Sequence, residues 1–155
     1  GVGTATSVRV GHAVGAGDLA LARRRGWIGL GTGLCAVAGF AVVFLTVPDV
    51  LAGLFSDEPA VIAAAVPLLH IAALFQLSDG TQAIAAGMLR GLGDNRATFI
   101  GNLIGHYAIG LVITIVLTFV AHRGAPGLWW GLSAGLTATA IYLVLRFRAR
   151  TKPVT

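Results

Sequence analysis

Four long apolar runs, separated by short polar segments, dominate the chain. They cover residues 27–47, 60–89, 97–121 and 125–145. The only Asp, Glu, Lys or Arg inside them is Asp79. A hydrocarbon core about 30 Å thick needs roughly 20 helical residues, and inside it the backbone must satisfy its own hydrogen bonds. The pattern therefore predicts an all-α membrane protein with four full spans, and residues 1–16 predict the end of a fifth.

The composition supports a membrane protein over a soluble one. Hydrophobic residues make up 56% of the chain and charged residues 11%, whereas a typical globular protein has about 25% charged residues. The net charge of +5 is typical of some nucleic-acid-binding proteins. Here the basic residues flank apolar runs and form no single soluble face, so the pattern predicts a lipid environment and no nucleic-acid partner.

The basic residues also predict an orientation. If the spans alternate in direction, one side of the membrane receives nine basic residues, and the other side receives only Arg123. The nine are Arg23, Arg24, Arg25, Arg90, Arg96, Arg146, Arg148, Arg150 and Lys152. The positive-inside rule places this group in the cytoplasm. We therefore expect a multi-pass protein of the plasma (inner) membrane with a cytoplasmic carboxyl terminus.

Glycine predicts both turns and close packing. The segments Gly15-Ala16-Gly17-Asp18 and Gly91-Leu92-Gly93-Asp94 are typical of a helix that ends on glycine before an aspartate N-cap begins the next. They lack the Lys and Ser/Thr of a phosphate-binding loop. Many of the 22 glycines lie four residues apart, which lets membrane helices approach closely and favours a tight bundle.

Asp79 is the principal candidate functional residue. A carboxylate at membrane depth costs about 2.5–3.5 kcal/mol on insertion scales, so we expect it to face the bundle interior or a water-filled cavity. There it has the chemistry to bind Na⁺, which takes oxygen ligands, or to exchange a proton. The alternative is a structural aspartate that is hydrogen-bonded to a neighbouring helix.

Other polar residues in the runs are candidates for lining the same cavity. They are Gln76, Gln82, Asn102 and His106. His106 has the chemistry of a proton relay, although polar side chains in spans also bridge helices without further function. Beyond Na⁺ at Asp79, no metal site is predicted. No catalytic constellation is evident, and we expect neither enzymatic activity nor an organic cofactor.

Three segments, in order, resemble the second half of a transporter of the multidrug and toxic compound extrusion (MATE) family. Residues 5–18 (ATSVRVGHAVGAGD) resemble the end of the eighth helix and the loop after it. Residues 76–94 (QLSDGTQAIAAGMLRGLGD) resemble the tenth helix, and residues 127–136 (GLWWGLSAGL) resemble the start of the twelfth.

The resemblance implies two six-helix lobes around a central cavity, with this chain holding most of the second lobe. Since residues 1–16 carry neither an initiator Met nor a signal peptide and read as the end of a span, we expect that the chain is truncated at its start. The resemblance implies that its partner is the missing amino-terminal lobe. The family exchanges H⁺ or Na⁺ for organic, often cationic, compounds. An acid on the tenth helix couples the cation in many bacterial members, and Asp79 occupies that position.

Three other functions stay open at this point. A lipid-linked saccharide flippase of the same superfamily usually has several basic residues in its cavity, whereas here the membrane-depth charge is one acid. A non-transporting membrane scaffold is a second alternative. A membrane enzyme is the third, and it requires clustered titratable groups that the sequence does not show.

Overall fold

The computed structural model describes residues 1–152 as a bundle of helices. They are α1 (Val2–Gly15), α2 (Leu19–Thr46), α3 (Pro48–Gly53), α4 (Pro59–Gly91), α5 (Asn95–Val120) and α6 (Gly124–Arg150). Of these, α2, α4, α5 and α6 are long and apolar enough to cross a membrane, which confirms the predicted all-α class. Residues 153–155, and with them the predicted position of the carboxyl terminus, lie outside the described part.

The two Gly-x-Gly-Asp segments form matching turns, as predicted. Gly17 and Gly93 each have a φ of +76°, a conformation that glycine adopts without a steric penalty. Asp18 then accepts a hydrogen bond from the Leu21 amide at 2.7 Å, and Asp94 accepts one from the Ala97 amide at 3.2 Å. Each aspartate satisfies a free donor in the first turn of the following helix.

Helix α4 lies at the centre of the bundle and contacts α1, α2, α5 and α6. The largest buried side chains cluster toward its carboxyl-terminal end. Met88 and Leu89 of α4, Val10 of α1, and Leu143 and Phe147 of α6 are all fully buried. The apolar core therefore lies at the end of the bundle where α1 leads into α2 and α4 leads into α5.

Glycines allow the helix backbones to meet. A Cβ atom on Gly91 of α4 would lie 2.6 Å from the Ser7 carbonyl oxygen of α1, and one on Gly135 of α6 would lie 2.8 Å from the Gly110 Cα of α5. No side chain can move aside in such contacts, because the neighbouring atoms belong to the backbone. The predicted role of the glycine pattern in internal packing is confirmed at these positions.

Two local features were not predicted from the sequence. The connection after α2 contains the short helix α3, with Pro48 in its first turn, where the missing amide donor does no harm. Helix α5 contains two π-helical stretches, Leu103–Leu111 and Val116–Val120, on either side of an α-helical turn. Such wide turns displace the residues that follow them relative to a regular α-helix.

One end of the bundle carries the nine basic residues listed above, and we call it the basic end. Three contacts tie its segments together. The Arg25 Nη1 atom donates to the Arg9 carbonyl oxygen at 2.9 Å, which joins α2 to α1. The Arg146 Nε atom lies 2.9 Å from Asp94 Oδ2, and the Arg150 Nε atom lies 3.6 Å from the same oxygen. Asp94 therefore links the turn before α5 to the end of α6.

The surroundings of Asp94 shift its pKa. Burial of the carboxylate acts to raise the pKa, but hydrogen bonds from Arg146 and the Ala97 amide, together with the charges of Arg146 and Arg150, hold it below the ordinary value of 3.8. A carboxyl group with a lowered pKa in the folded state stabilises that state above its unfolded pKa. This contribution is lost as the pH falls through the lowered, folded-state pKa.

We expect Asp94→Ala to destabilise the intact protein more than Asp18→Ala does. Each substitution removes an N-cap worth about 1 kcal/mol. Asp94→Ala also removes the two arginine contacts. Because the arginines are partly solvated, these contacts together contribute at most about 1 kcal/mol. Thermal unfolding in detergent at neutral pH tests this order. Equal midpoints for the two variants would show that the arginine contacts contribute nothing.

Candidate cation site on helix α4

Asp79 lies in the half of α4 (Pro59–Gly91) that is nearer the basic end, and its side chain is exposed. The contacts made by the next helical turn, toward the basic end, show which way the Asp79 side chain points. Gln82, three residues later, contacts Asn102 of α5, and Ala83, four residues later, contacts Gly3 of α1. Residues three and four apart share a helix face, so Asp79 points between α5 and α1.

The other directions around this turn of α4 are occupied. Ser78 Oγ lies 2.8 Å from Thr137 Oγ1 of α6, and Gly80 packs against Val37 of α2. Helix α1 begins close to the level of Ile84, since the side chains of Val2 and Ile84 both lie against Gly33 of α2. Among residues 1–152, the space beside Asp79 is therefore open because α1 does not extend along it.

Gln76 precedes Asp79 by almost one turn. Its Nε2 atom is buried and has no hydrogen-bond partner within the described residues. A buried amide donor without a partner costs about 1–3 kcal/mol, so the arrangement leaves polar capacity unused. The amide oxygen of Gln76 and the Asp79 carboxylate are both ligands of the kind that hard cations prefer.

The other predicted cavity residues form a connected group beside this turn. The Gln82 amide Nε2 donates to Asn102 Oδ1 at 2.6 Å, and His106 Nδ1 lies 3.1 Å from the Asn102 carbonyl oxygen. The first contact joins α4 to α5, and the second lies within α5, where His106 belongs to the π-helical stretch. The structure thus brings Gln82, Asn102 and His106 together next to the turn that carries Asp79.

The charge balance of the site suits a monovalent cation. No group of three or more His, Cys, Asp or Glu residues capable of holding a metal ion is found in residues 1–152. Asp79 is the one acid in the apolar runs, so a single positive charge neutralises it. The amide oxygen of Gln76, on the same helix, is an uncharged ligand of the kind that such a cation takes, and a bound proton requires none.

Sequence reasoning did not identify Ser78 as part of this turn. Its hydrogen bond to Thr137 fixes α4 against α6 beside Asp79, and the edge-to-face contact between Phe75 and Trp129, with ring centroids 5.4 Å apart, supports the same pair of helices. The signal available in the sequence was that Ser78 is a polar residue directly before the intramembrane Asp79. Its partner, 59 residues later in the chain, was not apparent from local spacing.

Comparison with known proteins places this bundle in a family. The sequence profile described as MatE matches residues 1–120. The chain is 47% identical over 157 aligned positions to the probable multidrug resistance protein NorM of Deinococcus radiodurans, covering 98% of this chain and 35% of that protein. It is 44% identical to a protein of the same name from Pseudomonas aeruginosa, covering 97% and 32% respectively. The chain thus spans about a third of these relatives.

Solved structures share the fold. The eukaryotic MATE transporter AtDTX14 superposes with a TM-score of 0.86 at 24% identity, over 97% of this chain and 36% of that one. A multidrug resistance MATE family transporter in an inward-facing conformation superposes with a TM-score of 0.84 at 16% identity, over 96% and 34%. Taken with the profile match, these relationships show that the chain belongs to the MATE family, a family of multi-pass membrane transporters and not of enzymes.

Proposed function

We propose that the intact protein is an antiporter that exports organic, often cationic, compounds in exchange for H⁺ or Na⁺, and that Asp79 binds the coupling cation. The observation that carries this proposal is the position of one carboxylate on the open face of α4, at membrane depth and less than one turn from the unpaired amide of Gln76. The names of the relatives, multidrug resistance proteins, support export of small organic compounds.

The mechanism follows from the electrostatics of a single acid. An ionised carboxylate at membrane depth favours a conformation in which water or a cation reaches it, whereas a neutralised one tolerates an apolar environment. Cation binding therefore shifts the equilibrium between two arrangements of the bundle. We infer that the lobe rocks between outward-open and inward-open states as Asp79 loads and releases its cation.

This chain spans about a third of its relatives, so the segments that correspond to the other two thirds are available to cover the open face of Asp79. We propose that a preceding helix and an amino-terminal lobe of the same protein cover this face and enclose a central cavity. Gln76, Gln82, Asn102 and His106 then line or support that cavity. We further propose that the basic end lies in the cytoplasm, because positive residues are retained on that side of the inner membrane.

The flippase alternative is disfavoured by charge. A pyrophosphate-bearing substrate calls for basic side chains at membrane depth, and the four apolar runs contain one acid and no Lys or Arg. A scaffold without transport activity does not require a charge inside the membrane, and the cost of placing Asp79 there argues for a function.

Transport by the intact protein in sealed vesicles tests the proposal. We expect a fluorescent organic cation to move against its own gradient when a H⁺ or Na⁺ gradient is imposed in the opposite direction. Vesicles with no ion gradient are the control. Substrate movement that is the same with and without either ion gradient would rule out antiport.

A further inference from the structure

A groove lies on the face of α4 opposite Asp79. It has a volume of about 380 Å³ and runs between α2, α4 and α6. Leu77, Ser78 and Thr81 form its floor. At 100° per residue, Leu77 and Thr81 lie about 160° around the helix from Asp79, and Ser78 lies about 100° from it. The groove therefore lies on a different side of α4 from the proposed cation site.

The groove offers an apolar surface. Most of its lining residues are aliphatic, and Ile141 and Leu145 on its rim are each 56% exposed. Its hydroxyl groups are already satisfied by the protein: Ser78 and Thr137 bond to each other, and Thr81 Oγ1 donates to the Leu77 carbonyl oxygen at 2.6 Å. A polar ligand finds no free partner here, whereas a hydrocarbon chain needs none.

The length of the groove matches one leaflet of a bilayer. From Thr137 to Leu145 there are eight residues, or about 12 Å at 1.5 Å per residue. Half of a hydrocarbon core is about 15 Å. The groove thus extends from near the middle of the membrane toward the basic end, which is the depth of an acyl chain.

Two arginines stand where a lipid headgroup would lie. Arg148 follows Val144 by four residues and Ile141 by seven, so it continues the groove-facing side of α6. Arg23 precedes Leu30 by seven residues on the corresponding side of α2 and, with Trp27, borders a second cavity at the basic end. The ion pairs seen within residues 1–152 both use Asp94, which leaves Arg23 and Arg148 without a carboxylate partner.

We propose that this groove holds an acyl chain of an anionic phospholipid from the leaflet at the basic end, with the lipid phosphate on Arg23 and Arg148. Charge complementarity selects the headgroup, since two unpaired guanidinium groups suit a phosphate. Trp27 is placed at the interface, where its ring is both apolar and polar. The occupant is a structural lipid bound at a defined site, and not a transported compound.

Native mass spectrometry of the intact protein tests this, using micelles that contain equal amounts of phosphatidylglycerol and phosphatidylcholine. We expect a resolved complex with one phosphatidylglycerol. The double variant Arg23→Gln/Arg148→Gln should weaken this complex about 30-fold, since each basic residue near an anionic surface contributes about 1 kcal/mol. Binding of phosphatidylcholine should change little.

Two further variants separate this site from general attraction. Arg90→Gln/Arg96→Gln makes the same change in charge at the same end, away from the groove, and should leave the complex intact. Ile141→Trp narrows the groove at an exposed position and should weaken both lipids. An equal loss in the two double variants, full lipid binding by Ile141→Trp, or no bound lipid in the wild-type protein would each overturn the proposal. Equal thermal midpoints verify that the variants are folded.

Discussion

Asp79→Asn in the intact protein is expected to reduce ion-driven export to the level of vesicles without protein. The amide has nearly the same shape but cannot ionise, so neither H⁺ nor Na⁺ changes the charge of the site. Driving a two-state equilibrium from 1:99 to 99:1 takes about 5.5 kcal/mol of differential binding. Without a cation site, the coupling ion has no means of supplying that free energy.

The measurement is uptake of a fluorescent organic cation into inside-out vesicles under an imposed H⁺ or Na⁺ gradient. Asp79→Glu keeps the carboxylate and should retain part of the activity. Asp49→Asn removes an exposed carboxylate from α3, outside the predicted spans, and should transport as the wild type does. Ion-driven transport by Asp79→Asn at the wild-type rate would show that another group carries the coupling ion.

Gly87→Val is expected to prevent α1 from packing on α4. A Cβ atom at Gly87 would lie 2.8 Å from the carbonyl carbon of Gly3 and 3.1 Å from its Cα. Both atoms are backbone, so the strain is relieved only if the helices separate. Overpacking in a dense core typically costs about 1–3 kcal/mol, and we expect a value at or above the top of that range.

Thermal unfolding of the intact protein in detergent, followed by circular dichroism, measures this loss. Gly39→Val is the matched control, because Gly39 lies inside α2 and a Cβ atom there would meet nothing within 4 Å. The control should unfold near the wild-type midpoint. If Gly87→Val unfolded at the same temperature as Gly39→Val, the close approach of α1 and α4 would be refuted.

Much of this fold could be predicted because membranes impose simple rules on sequence. Apolar length gave the four long helices, and the Gly-x-Gly-Asp turns gave two of the helix junctions. The π-helical stretches of α5 were not predictable, since Leu103–Leu111 has the same apolar composition as a regular helix. Helix α3 was also missed, because a six-residue helix in a loop leaves almost no periodicity.

The sequence supplies a list of candidate site residues but not their arrangement. Asp79 stands out because its charge is costly in hydrocarbon. That Gln82 bonds to Asn102, or that Ser78 bonds to Thr137, depends on which helices become neighbours, and those pairs are 20 and 59 residues apart. The lipid groove was missed for the same reason, since its three walls come from distant parts of the chain.

The solvent beside position 79 tests the central claim most directly. In a Cys35→Ala background, Asp79→Cys should react with a charged, water-soluble thiol reagent in the intact protein, because we propose that this position lies on a hydrated, inward-looking surface. Cys35 of the wild-type protein is the control: it is exposed on α2 two residues from Gly33, whose face packs against α4. We expect fast modification at position 79 and slow modification at Cys35. Modification at position 79 that is no faster than at Cys35, and that requires a lipid-soluble reagent, would contradict the account.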